Sequence, residues 1–216
     1  IWVHLYASNT AEISLDRNRI RLTQRTRYPW DGEVEITIEP ESESEFSLML
    51  RVPGWCDGAD ISVNGQKIAS DVQPGRYFEL KRSWRKGDKV ELSIPMRVQM
   101  LTAHPRVESS WNRIALKRGP IIFCLEHEDN PGFDVWCAGI RVNSEPIAEF
   151  RPDLLGGVMT VKCDGIASEM GIWEDKLYLP IGSVSQTERP VRITAIPYYA
   201  WANRDPGPMT VWMNRA

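Results

Sequence analysis

The stretch EVEITIEPESESEFSLMLRV, residues 33–52, decides the fold. In EVEITIE (33–39), Val34, Ile36 and Ile38 alternate with Glu and Thr. In EFSLMLRV (45–52), Phe46, Leu48, Leu50 and Val52 alternate with Ser, Met and Arg. Side chains on a strand point to opposite faces in turn, so each run predicts a strand with one apolar and one wetted face.

The same period of two recurs outward from there, in IRLTQRT (20–26), RYFELKR (76–82) and KVELSIP (89–95). Turns rich in Gly and Pro separate the runs: PWDG (29–32), VPGW (52–55), VNGQ (63–66), QPGR (73–76) and RKGD (85–88). Asn64-Gly65, between ISV and KIA, is a strong hairpin signal, because both central positions of a type I′ turn need positive φ. A second series follows: RIALKRG (113–119), PIIFCLE (120–126), GVMTVKC (157–163), KLYLP (176–180), VRITAIPYY (191–199) and MTVWM (209–213). A long polar stretch runs from Glu128 to about Pro146. No segment carries a 3.6-residue period with caps. The prediction is an all-β chain of two consecutive antiparallel β-sandwich domains, 1–104 and 105–216, divided near His104-Pro105; one larger β-sandwich is the alternative.

Composition narrows the function. The chain has 216 residues, 42% hydrophobic and 25% charged, which suits a globular protein. A net charge of −3 leaves no basic excess to displace phosphate counterions, so nucleic acid is not an expected partner. No run has the roughly 18 apolar residues of a membrane helix, and no signal peptide or N-x-S/T sequon is visible. A bacterial or intracellular setting is the expectation. The start at IWVHLYAS, without Met and directly in a strand-like segment, reads as a cut from a longer chain.

Candidates for chemistry are few. His4, His104 and His127 are far apart and never at metal-ligand spacing. Cys56, Cys124, Cys137 and Cys163 show no C-x-x-C and read as reduced, buried thiols. Cys56 sits beside Asp57, whose charge disfavours a thiolate, so it is not taken as a nucleophile. The acids of EPESESEF (39–46) read as a solvated face rather than a glycosidase pair held across a cleft. HEDNPGFD (127–134) has calcium-type oxygens without defined ligand spacing and reads as a polar loop. No catalytic, cofactor-binding or metal residue is assigned. Nine tryptophans are the unusual resource. Trp30, Trp55, Trp84 and Trp111 stand beside turns or strand ends, where packing is expected of them. An exposed row would instead make a carbohydrate-binding module.

Several longer motifs occur in one order: VHLYAS (3–8), YPWDG (28–32), RVPGWC (51–56), RGPIIFCLE (118–126) and YYAWANR (198–204). Together they resemble the C-terminal part of bacterial glycoside hydrolase family 127, the β-L-arabinofuranosidase type. The likeness covers nearly the whole chain and is weakest over 135–190. It implies a parent with an (α/α)6 catalytic barrel followed by two β-sandwiches, acting on arabinose-containing glycans. It further implies retaining hydrolysis, with a zinc-bound cysteine nucleophile and a glutamate acid/base carried by the barrel. The barrel's Cys-Cys-Pro motif is absent here, so none of those roles passes to a residue of this chain, Cys56 included. The implied partner is the barrel, with a homodimer contact as a further option, and the chain alone is expected to be inactive. In IPYYAWANRDPGPMTVWMN (196–214), Pro197 points to an edge or bend. Tyr199 or Trp201 is expected either in core packing or on a face that meets the barrel.

Overall fold

The two runs that decide the fold are neighbours in the chain but lie in different sheets. Glu33–Pro40 sits inside a six-stranded sheet and Ser44–Val52 at the centre of a three-stranded one. The computed structural model describes residues 1–16, 18–169, 173, 176–183 and 187–216. Among these residues the elements are strands and single 3-10 turns, with no α-helix. They form two units, Ile1–Arg97 and Val98–Ala216.

The first unit contains β1 (Trp2–Val3), β2 (Asn9–Leu15), β3 (Asn18–Thr26), β4 (Glu33–Pro40) and β5 (Ser44–Val52). It continues with β6 (Asp60–Val63), β7 (Gln66–Ala69), β8 (Arg76–Trp84) and β9 (Asp88–Ser93). The sheets are β1-β5-β8 and β2-β3-β4-β9-β6-β7. Each turns its apolar face inward: Leu48, Leu50 and Leu80 from the first, and Ile20, Ile36, Ile38, Val90 and Leu92 from the second, join one buried cluster. Two sheets that close on one core are a sandwich. Trp84 ends β8 fully buried, and its indole donates to the Phe46 carbonyl at 3.0 Å, so the polar atom of a large core residue is satisfied. Asn64 and Gly65 have φ of 52° and 76°, the left-handed pair expected for the β6–β7 hairpin. The pairing is antiparallel throughout this unit except for β1, which runs parallel to β5.

The second unit contains β10 (Val98–Thr102), β11 (Arg113–Arg118), β12 (Ile121–Glu126), β13 (Ala138–Ile140) and β14 (Ile147–Arg151). Then come β15 (Val158–Ser168), β16 (Glu188–Pro197), β17 (Met209–Thr210) and β18 (Met213–Arg215). The units divide ahead of the His104-Pro105 break because β10 pairs along its whole length with β11. The ladder runs β11-β18-β13-β15-β16-β12 and returns to β11, so it closes on itself. Closure removes the unpaired edges along that ring, while β10 and β14 each pair with a single strand among the described residues. β12 makes the corner by changing partner every two residues. Ile121 and Ile122 pair with β11, Phe123 and Cys124 with β16, and Leu125 and Glu126 with β17. Phe123, Cys124, Leu125, Val161, Cys163, Ile193 and Ala195 are wholly buried. Gly165 lets β13 approach β15, since a Cβ there would lie 2.4 Å from Ile193 Cδ1 and 2.5 Å from the Gly139 carbonyl oxygen.

Three sequence expectations need correction in this unit. KLYLP forms no strand; Leu177 and Tyr178 are 84% and 91% exposed, with no facing core to reward the alternation. MTVWM is broken at Val211-Trp212 into β17 and β18, which pair with different neighbours. The polar stretch after Glu128 holds β13, whose small Ala138 and Gly139 gave little strand signal. No helix of the described residues is long and apolar enough to cross a membrane.

Candidate functional site

The chemistry-bearing residues singled out from the sequence are dispersed and mostly satisfied within the protein. His4 Nδ1 lies 2.6 Å from Tyr77 Oη, and His104 Nδ1 accepts from the Arg106 amide at 3.1 Å. His127, itself exposed, begins the 3-10 turn His127–Asp129. The acids of 39–46 stand on a charged surface: Glu43 bonds Arg85 and Ser83, and Glu45 lies 3.6 Å from Lys81. The Arg85 and Ser83 hydrogen bonds hold Glu43 below the usual carboxylate range. That arrangement is a solvated face rather than a catalytic pair across a cleft.

All four cysteines are free, and Cys56, Cys124 and Cys163 are buried. Cys56 Sγ is bonded to the Pro53 carbonyl at 3.0 Å, inside a turn. Burial first, then the Glu126 charge, pushes the Cys124 thiol up to about 12, and burial pushes Cys163 up to about 11. Neither is a ready nucleophile, because reactivity needs the thiolate. Among the described residues no three His, Cys, Asp or Glu side chains converge as metal ligands.

The oxygens of HEDNPGFD are instead structural. Asp129 takes both ends of the Arg204 guanidinium, at 2.8 and 2.5 Å, and Arg204 Nη2 also reaches Glu126 Oε2. The Asn130 amide bridges the Glu126 and Thr194 carbonyls and accepts from the Thr194 amide. Asp134 caps the next turn by accepting from the Trp136 amide at 2.9 Å. Side-chain exposure is 19% for Arg204, 8% for Glu126 and 10% for Asp129. Planar, forked donors suit such a buried pair. The bonds to Asp129 hold Arg204 firmly in its charged form. Sequence reasoning placed these groups only as polar loop residues, because the partners lie 75 and 78 positions apart.

This cluster fixes the loop that carries the closing aromatics. Ala202 donates to Glu126 Oε1 at 2.9 Å, and the Asn203 side-chain amide donates to the Ala200 and Trp201 carbonyls. Tyr198–Ala200 is one 3-10 turn capped by Trp201, with Ala200 as its buried foot. Residues three apart eclipse in such a turn, and the Tyr198 and Trp201 rings lie 7° from parallel with centroids 6.1 Å apart. Tyr198, Tyr199 and Trp201 are 46%, 60% and 41% exposed. Core packing, one of the two expectations for Tyr199 and Trp201, is thus excluded. Trp111 is also exposed, against the packing expected of it, whereas Trp84 is core.

The first unit has its own aromatic surface. Val3 points into the core, so alternation leaves Trp2 outside, edge-on to Tyr77 at 4.8 Å, with exposed Leu5 further along the chain. In the same unit Tyr6, Tyr28 and Trp55 form a contiguous series with centroid spacings of 6.2 and 6.3 Å. Tyr6 donates to the Arg51 carbonyl at 2.5 Å, and burial raises its phenol. These rings come from VHLYAS, YPWDG and RVPGWC, so three of the quoted motifs meet in one place.

Two features define the class: a β-sandwich of three and six strands, and a β-unit whose ladder closes on itself. Comparison with known sequences and structures gives the family. Residues 1–96 match the profile described as β-L-arabinofuranosidase, GH127 middle domain, and residues 98–214 match the glycoside hydrolase family 127 C-terminal domain. The chain belongs to glycoside hydrolase family 127. It is 34% identical, over 98% of its length, to a non-reducing end β-L-arabinofuranosidase of Bifidobacterium longum subsp. longum, of which it covers 32%. The crystal structure of a GH127 β-L-arabinofuranosidase from Geobacillus stearothermophilus T6 superposes with a TM-score of 0.90 at 39% identity, over 100% of this chain and 33% of that one. A GH127 β-arabinofuranosidase structure gives 0.86 at 34% identity, again over 100% of this chain and 34% of the other. The chain spans about a third of the length of these relatives.

Proposed function

We propose that this chain is a non-catalytic accessory region of a β-L-arabinofuranosidase-type glycoside hydrolase, and that it supports a separate catalytic barrel. One observation carries the reading: the whole chain corresponds to only 33% of a solved β-L-arabinofuranosidase, and its two units match that family's middle and C-terminal domains. The site geometry agrees, since its carboxylates are solvated or locked to Arg204 and the Cys124 and Cys163 thiols resist ionisation. Exposed apolar groups such as Trp2 at 57% and Leu5 at 74% suit a surface that another domain covers. The catalytic barrel, arabinose-containing glycans as its substrate, and a subunit contact through either unit belong to the same proposal.

The test is turnover of an aryl β-L-arabinofuranoside by this chain, set beside a full-length family enzyme under the same conditions. The expected result is hydrolysis by the full-length enzyme only, with activity or stability reduced when these two domains are deleted from it. Hydrolysis by the 216-residue chain alone would sink the accessory reading.

A further inference from the structure

We infer that Tyr198 and Trp201 form a stacking platform for a neutral sugar chain on the second unit. The two rings are near parallel and stacked, with centroids 6.1 Å apart, and each is more than two-fifths exposed. A stacked pair of this kind leaves its outer ring face and edges to solvent as an apolar surface. The C–H face of a sugar stacks on such a surface while its hydroxyls stay in water. The Tyr198 phenol at the rim supplies one polar group for orientation.

The platform is preorganised. Ala202, directly after Trp201, sits at φ 62°, a left-handed conformation unusual for a residue with a Cβ. It is held there by the hydrogen bond its backbone N–H donates to Glu126 Oε1, while Arg204 clamps Glu126 and Asp129. Asn203 closes the turn from the other side. The rings themselves remain outside, so these contacts do not serve to bury them. They fix an exposed aromatic pair in one geometry, which lowers the ordering cost of binding. Charge selects the ligand class: the Arg204 cation is already neutralised inside the protein, and the whole chain carries −3. With that guanidinium engaged by two carboxylates, it is not free to hold an anionic ligand. A neutral glycan needs only the rings. Choosing an arabinose-containing probe rests on the accessory reading above; the platform itself does not.

The experiment is a titration of the isotope-labelled chain with arabinotriose, read on the tryptophan indole N–H signals and the backbone amides of residues 198–204. The expected result is saturable movement of the Trp201 signal with Kd in the millimolar range and no movement of the buried Trp84 signal. Binding read at the loop amides should be about tenfold weaker in Trp201→Ala and Tyr198→Ala. Both changes are at exposed positions, and retained Trp84 dispersion reports that the variants fold. Silence at Trp201 up to about 50 mM sugar overturns the proposal, as does loop-amide binding that is undiminished in Trp201→Ala. Self-association removed by Trp201→Ala, without any sugar response, also overturns it in favour of a protein contact. Hydrolysis by the chain would overturn the accessory reading and leave the platform standing; a silent titration would do the reverse.

Discussion

Arg204→Met removes the cation from a buried three-residue cluster while keeping much of its apolar stem. Glu126 and Asp129, with side chains 8% and 10% exposed, then face one another without a counter-charge. Breaking a buried pair by deleting one partner costs about 3–5 kcal/mol. For a unit of this size that is roughly 4 °C per kcal/mol, so a fall on the order of 12–20 °C in the second unit's Tm is expected. Because the chain has two units, a single bulk transition is not a safe readout. Hydrogen exchange of the β15–β16 amides in increasing urea isolates the opening of the second unit. A companion variant, Glu126→Gln with Asp129→Asn and Arg204→Met, removes every charge while keeping shape. In it the side-chain carbonyl at position 126 still accepts from the Ala202 amide, so stability should return to within about 2 kcal/mol of the parent. A loss below about 1 kcal/mol in Arg204→Met, or a triple variant no better than the single one, would refute the view that uncompensated charge burial sets the effect.

Three further outcomes follow from the packing and burial. Gly165→Ala places a methyl 2.4 Å from Ile193 Cδ1 and 2.5 Å from a backbone oxygen of β13, so overpacking should cost about 1–3 kcal/mol, seen as a lower urea midpoint; an unchanged midpoint would contradict the β13–β15 approach. At pH 8 iodoacetamide should modify half-buried Cys137 before Cys124 and Cys163. The last two thiols have folded values of about 12 and 11 against an ordinary 9.0, so the unfolded chain loses these protons first as pH rises. Their contribution is complete below pH 9 and is lost on the way to those folded values, giving a urea midpoint that declines above pH 9; a flat midpoint to pH 11 would exclude it.

How much was legible beforehand depends on how local the signal is. The fold class, the inward set Phe46, Leu48, Leu50 and Val52, and the β6–β7 hairpin at Asn64-Gly65 could be read directly, since strand period and turn stereochemistry are properties of a few adjacent residues. The motif series also pointed to the family, through segments that turn out to converge, as Tyr6, Tyr28 and Trp55 do. KLYLP shows the limit: an alternating pattern becomes a strand only where a partner and a core receive it.

Tertiary structure decided everything that depends on distant partners. It set β4 and β5, adjacent in sequence, into opposite sheets, and drew β12 across three neighbours in turn. It also paired Arg204 with carboxylates 75 and 78 residues away, turning what reads as a polar loop into the base of a rigid aromatic turn. Sequence alone named Tyr198 and Trp201 as aromatic and placed them beside a bend. Only the folded chain made them parallel and left them outside, because exposure and ring geometry belong to the assembled surface rather than to any local run of residues.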